Sequence, residues 1–201
     1  MDQKNNDELL DKAQALLDKG DQESYFKINH QLASAGDARG VFNVANCFFH
    51  GIYVAKDLQK AYSLFQLLAE ADIPDAIYYL GLYAQEGYLE EPDFAKAMEY
   101  YKKASDMGDA WSAVQLGMMY SLGQGTETDY EKGFEYYKLG YERGDVLACA
   151  NLGWCFETGQ GTEKDLNQAL RYYWEGASRG DEHCVEAVKR LSDPAAGAKA
   201  H

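Results

Sequence analysis

Residues 108–144 read GDAWSAVQLGMMYSLGQGTETDYEKGFEYYKLGYERG, and displacing this stretch by 36 residues in either direction lands on a recognisable copy of itself. Gly36, Gly108, Gly144 and Gly180 share one repeat position, at which Asp72 fills the missing place, while Gly51, Gly87, Gly123 and Gly159 share another. A third row is Asp57, Asp93, Asp129 and Asp165. Rows locked to one period without an insertion are the signature of a solenoid, in which each unit buries its apolar face against the next.

Each unit reads as two helices. In the first, over 109–122, Ala113, Leu116, Gly117 and Tyr120 fall on one helical face, and Gly123 closes the last turn by adopting a left-handed conformation. Asp129 opens the second as an N-cap, its carboxylate accepting from free backbone amides, a contribution of roughly 1 kcal/mol. Gly133, Tyr136, Tyr137 and Gly140 form the inner face of that second helix.

These residues carry a resemblance. The pattern of LG, an aromatic three residues on, G-x-G, D-x-x-K-A and YY is similar to the Sel-1-like repeat, a relative of the tetratricopeptide repeat. Leu116, Gly117, Tyr120, Gly123, Gly125, Asp129, Lys132, Tyr136 and Tyr137 carry one copy, and Leu152, Gly153, Phe156, Gly159, Gly161, Asp165, Ala169, Tyr172 and Tyr173 another. Looser copies run through Ala45, Phe48, Gly51, Asp57, Lys60 and Ala61, and through Leu80, Gly81, Gly87, Asp93, Lys96, Ala97, Tyr100 and Tyr101. The fold the resemblance implies is all-α, a right-handed α-α superhelix of about five helix-turn-helix repeats with a C-terminal capping helix. It also implies scaffold or adaptor work, immunity proteins beside secreted effectors, or, in a cysteine-rich secreted branch, weak penicillin binding and hydrolysis.

The expected organisation is a single solenoid over 1–193. A degenerate repeat spans 7–35, full repeats span 36–71, 72–107, 108–143 and 144–179, a capping helix spans 180–193, and 194–201 form a disordered tail. Leu9, Leu10, Ala13, Leu16 and Leu17 give the first helix an apolar face, and Asp21 caps the next. The formal net charge of −14 argues against sequence-independent binding of nucleic acid or anionic lipid, both of which need clustered Lys and Arg. Nothing in the N-terminal run MDQKNNDELLDK reads as a signal peptide, so the sequence points to a cytoplasmic protein, a monomer or weak dimer without membrane attachment.

Catalytic, cofactor and metal sites are not indicated. The G-x-G loops leave a helix rather than a strand and lack a third glycine, so they read as turns. None of His30, His50, His183 and His201 forms the paired helical spacing of a zinc site. Cys47, Cys149, Cys155 and Cys184 do not match the pairing positions of the cysteine-rich relatives and read as reduced, with Cys184 standing alone.

On a helical wheel, at about 100° per residue, the first helices carry a second row of bulky residues away from their core face. Its members Phe42, Asn46, Phe49, Tyr78, Leu82, Gln85, Trp111, Val114, Met118, Leu147 and Trp154 are the candidate partner-binding residues, joined by Arg39 as a supplier of polar contacts to a bound backbone or terminus. By resemblance the first helices line the concave side, which makes this row an aromatic groove for a partner peptide or helix, with acidic rims selecting basic flanks; the alternative is that neighbouring first helices and the N-terminal helix bury much of the same face. Trp174, on a second helix, is expected to pack beneath the terminal helix, with a dimer contact as the alternative.

Overall fold

The computed structural model describes residues 3–192, so the anticipated tail at 194–201 lies outside the described residues. Among the described residues there are eleven α-helices: α1 (Gln3–Asp18), α2 (Gln22–Ser34), α3 (Ala38–His50), α4 (Leu58–Glu70), α5 (Pro74–Glu86), α6 (Phe94–Asp106), α7 (Ala110–Leu122), α8 (Tyr130–Glu142), α9 (Leu147–Thr158), α10 (Leu166–Ser178) and α11 (Glu182–Ser192). They are the tandem helix pairs of the anticipated all-α solenoid. The chain divides into two compact units between Asp93 and Phe94, the first holding α1–α5 and the second α6–α11. No helix of the described residues is long and apolar enough to cross a membrane.

The punctuation works as the residues dictate. Asp21, Asp57 and Asp129 each accept a hydrogen bond from the backbone N–H three residues on, at 2.9–3.0 Å. Asp165 does the same for Asn167 and Gln168. Gly51, Gly87, Gly123 and Gly159 cap α3, α5, α7 and α9 in the left-handed region. Asp72, standing where the other repeats have glycine, is held at φ 53°, a conformation that costs a residue with a Cβ about 1–2 kcal/mol.

In the N-terminal unit the core is aromatic. Phe65 of α4 and Tyr79 of α5 stack with centroids 4.3 Å apart and planes 7° from parallel, and Phe42, Phe49 and Tyr83 close around them edge-on. The Tyr83 hydroxyl donates to the Leu58 carbonyl at 2.7 Å, which lets a phenol sit in the core without an unpaired polar atom. The opening pair is fastened by polar contacts. Asn43 donates to the buried Asn29 at 2.7 Å, and the Asn6 amide and the Arg39 guanidinium join α1 to the start of α3 through Asp37 and Asp7.

The C-terminal unit achieves close helix packing through its glycines. A Cβ on Gly117 would lie 2.6 Å from the Tyr137 ring, and one on Gly153 would lie 2.5 Å from Tyr173. Each glycine of the LG pair therefore lets a second-helix tyrosine lie directly on the first helix. One expectation is corrected here, that for Trp174. Cys184 forms no disulfide, as expected, but in space it neighbours Cys149 across Gly176, because α11 lays its apolar face on α10. All four cysteines are free and buried. Trp174 does not pack beneath α11 but is 59% exposed, since Tyr172, Tyr173 and Gly176 take the inner face of α10 and leave residue 174 on the outer one.

Candidate partner-binding face

The solvent-facing side of the first helices differs between repeats that are otherwise alike. On α7, Trp111, Gln115, Met118 and Leu122 follow a 4-3-4 spacing and form one strip. Trp111 is 49% exposed, Met118 36% and Leu122 62%. The same strip on α9 is Leu147, Asn151, Trp154 and Thr158, with Leu147 57% and Trp154 39% exposed. Asn151 donates back to the Leu147 carbonyl and Thr158 to that of Trp154, so both polar groups are turned onto their own helix and what remains toward solvent is mainly apolar.

Beside Trp154 lies an open cavity of about 640 Å³, within the size range of ligand sites. Ala150, Asn151, Tyr173, His183, Glu186, Ala187 and Arg190 complete its lining, so α9, α10 and α11 all contribute. One wall is fixed by a network in which Arg190 Nη2 donates to Glu157 Oε2 at 2.8 Å and the Tyr173 hydroxyl donates to the same oxygen at 3.0 Å. The Arg190 hydrogen bond holds the Glu157 carboxyl below its ordinary pKa, while burial first, and the Glu157 charge second, push the Tyr173 phenol up. Among the described residues no group of three or more His, Cys, Asp or Glu is placed to hold a metal ion.

The sequence-derived candidates fall into two groups. Trp111, Met118, Leu147 and Trp154 belong to the exposed strips just described, and Arg39, at the position equivalent to Trp111, is also exposed but is engaged by Asp7 and Asp37. Phe42, Asn46, Tyr78, Leu82 and Gln85 are half-buried. Phe49 and Val114 are buried, at 6% and 4% exposure: Phe49 joins the aromatic core, and Val114 packs where a Cβ on Gly140 would touch it. The row inferred from the helical wheel thus joined positions of different repeat register. Phe42, Tyr78 and Val114 are equivalent to one another, but not to Trp111 and Leu147. Gln115, Leu122 and Asn151, and the α11 residues His183, Glu186 and Arg190, were missed. Alignment of the repeats at 111 with 147 and 118 with 154 would have found the first three; the α11 contribution has no periodic signal.

A stack of short capped helix pairs with glycine-seated tyrosines and an exposed first-helix face defines a helical-repeat interaction module. The chain belongs to the Sel1 repeat family: the Sel1 repeat matches at residues 38–73, 74–109, 112–145 and 146–181. Among solved structures, it is similar to a Sel1 repeat protein from Oxalobacter formigenes, with 27% identity, a TM-score of 0.80, and coverage of 93% of this chain and 80% of the other. The protective antigen c5321 of uropathogenic Escherichia coli is 29% identical with a TM-score of 0.69, over 77% of this chain but 33% of the antigen. The immunity protein Pa5087 from Pseudomonas aeruginosa shares the fold at 24% identity and a TM-score of 0.70, over 96% and 73% of the two chains.

Proposed function

We propose that this protein is a non-enzymatic interaction module that holds a partner protein on the exposed apolar strips of α7 and α9. The observation that carries the reading is the pair Trp111 and Trp154, 49% and 39% exposed and flanked on the same strips by the exposed Met118, Leu122 and Leu147. Exposed tryptophans are costly to hydration and are frequent anchors of protein interfaces. The cavity beside Trp154 supplies a recess for one partner side chain, and Glu186 at its edge, within a chain of net charge −14, suits basic residues flanking the docked segment.

A cysteine nucleophile for hydrolysis of β-lactam-like compounds is disfavoured by the state of the thiols. Burial pushes Cys47 and Cys149 up to about 11, and Cys155 and Cys184 up to about 12, so none is a ready thiolate at neutral pH. A dedicated regulator of one effector differs from a general adaptor in the number of targets served by the face. The dedicated regulator is the second reading, supported by the presence of an immunity protein among proteins of this fold.

Affinity capture from the native cell, comparing the wild type with a Trp111→Ala, Trp154→Ala double variant of matched helicity and melting temperature, tests the proposal. The partner set is expected to be recovered by the wild type and lost by the variant. Equal recovery overturns the reading, and a single dominant species rather than several favours the dedicated regulator.

A further inference from the structure

The outer side of the N-terminal unit holds a second opening, distinct from the proposed partner face. Between α2 and α4, with α3 as its floor, lies an open, mainly apolar cleft of about 620 Å³ into which Phe26, Phe48, Leu64 and Leu67 project. Lys60 Nζ lies 5.2 Å from the centroid of Phe48, and His30 stands on the opposite wall.

The other repeats show what this arrangement normally contains. Seventy-two residues on, at the equivalent positions, Lys132 Nζ lies 5.3 Å from the Tyr120 ring, and Tyr136 stacks on Tyr120 with centroids 5.5 Å apart and planes 7° from parallel. In the following repeat Tyr172 stacks on Phe156 at 5.7 Å and 9°. The position of Tyr136 and Tyr172 is held in the second unit by tyrosine, but in the first unit it is Leu64. The lysine and the lower ring are present there and Phe26 meets Phe48 edge-on, with centroids 6.2 Å apart, but the described residues place no ring in the stacked position that Tyr136 and Tyr172 take. His30 occupies the position of Lys102, whose charge acts on both Tyr120 and Tyr136.

We propose that the cleft over Phe48 is a docking site for an aromatic side chain, of tyrosine type, presented by a partner segment. The ring stacks on Phe48, its edges rest against Leu64 and Leu67, and its hydroxyl lies between the walls that carry Lys60 and His30, where the lysine's charge and the imidazole's hydrogen-bonding capacity suit an electron-rich phenol. Internal repetition makes the chemical class specific, because the chain's own tyrosines are the complementary group at the equivalent sites.

The test uses p-cresol, the tyrosine side-chain analogue, and the capped peptide Ac-Gly-Ser-Tyr-Ser-Gly-NH2, titrated into the full chain and followed by amide and methyl NMR shifts. Both are expected to perturb residues of α2, α3 and α4 around Phe48 and Leu64, with p-cresol saturating on the order of 1–10 mM as befits a fragment. A peptide with Leu in place of Tyr is expected to bind at least about five-fold more weakly. Leu64→Tyr, which supplies the ring internally, and Leu67→Glu, on the exposed rim, are each expected to abolish the shifts while leaving the helical content unchanged. Absence of shifts in the wild type, shifts that persist in both variants, or equal binding of the Leu peptide overturns the proposal. So does a concentration-dependent dimer that Leu64→Tyr converts to monomer, since the occupant is then a second copy of this chain. Because the cleft and the α7–α9 strips share no residue, a failure here leaves the tryptophan reading standing, and the reverse.

Discussion

At equivalent repeat positions α3 presents Arg39, Asn43, Asn46 and His50, whereas α7 presents Trp111, Gln115, Met118 and Leu122. The two helices have the same length, the same left-handed glycine cap and corresponding buried rows. What differs is the side that the core does not use. Periodic residues are constrained by packing against the next helix and so define the fold; aperiodic ones on the outer strip are released from that constraint and carry the individuality of the protein. Capped carboxylates show the same contrast. Asp37 and Asp145 are equivalent, yet the hydrogen bonds from Arg39 hold Asp37 down at about 2, whereas burial pushes Asp145 up. Asp145 Oδ1 accepts from Leu147 N, and its buried Oδ2 has no hydrogen-bond partner among the described residues.

The largest effect that would break this comparison is on binding. Trp111→Ala with Trp154→Ala is expected to weaken partner binding by more than about ten-fold, the scale of two interface anchors, while Arg39→Ala with Asn46→Ala changes it by less than about two-fold, as read by titration against the captured partner. A reversal of that ranking would move the docking face to the N-terminal unit.

Next in size is the loop at Gly161. Its φ is +75° and a Cβ there would fall 2.0 Å from the Tyr130 carbonyl oxygen, so Gly161→Ala is expected to destabilise by about 2–4 kcal/mol in denaturant unfolding. The equivalent residue in the first full repeat is Tyr53, which adopts φ 63° and rests at 5.7 Å on Phe26. Tyr53→Gly is expected to stay within about 1 kcal/mol of the wild type, because strain relief offsets the lost ring contact.

The two aspartates sharpen the contrast through pH. A lowered folded pKa means that the stability from the ionised Asp37 is present above its ordinary value of 3.8 and disappears as pH falls through about 2. Asp37→Asn is therefore expected to melt earlier at neutral pH and to converge with the wild type in strong acid. For Asp145 the folded pKa is raised, so its ionisation weakens the fold as pH rises past 3.8. Asp145→Asn is expected to melt later at neutral pH, with the gap closing in acid. The smallest effect is at Asp72, where glycine removes the left-handed penalty and is expected to add about 0.5–1 kcal/mol in the same unfolding assay.

Helix boundaries, caps and the repeat were legible in the sequence because each rests on a local rule: an aspartate that caps, a glycine that ends, an apolar face that recurs. The exposed first-helix strips, the proposed binding face, were only partly legible. Trp111, Met118, Leu147 and Trp154 were correctly placed away from the core row of their helices. Phe49 and Val114, selected by the same wheel, are buried because neighbouring helices cover more than one face: α4 and α5 enclose Phe49, and Gly140 of α8 lets Val114 approach its backbone. The Trp154 cavity depends on α11, which repeats nothing, and the Phe48 cleft depends on a leucine where a tyrosine recurs. Both are departures from the period, and a reading that follows the period passes over them.

The central claim is tested most directly by site-specific photocrosslinking in the native cell, with benzoylphenylalanine placed at Met118 in one strain and at the equivalent Asn46 in another. The account predicts a covalent partner adduct from position 118 and little or none from position 46. Adducts from 46 alone, or none from 118 while the partner still co-purifies, would contradict it.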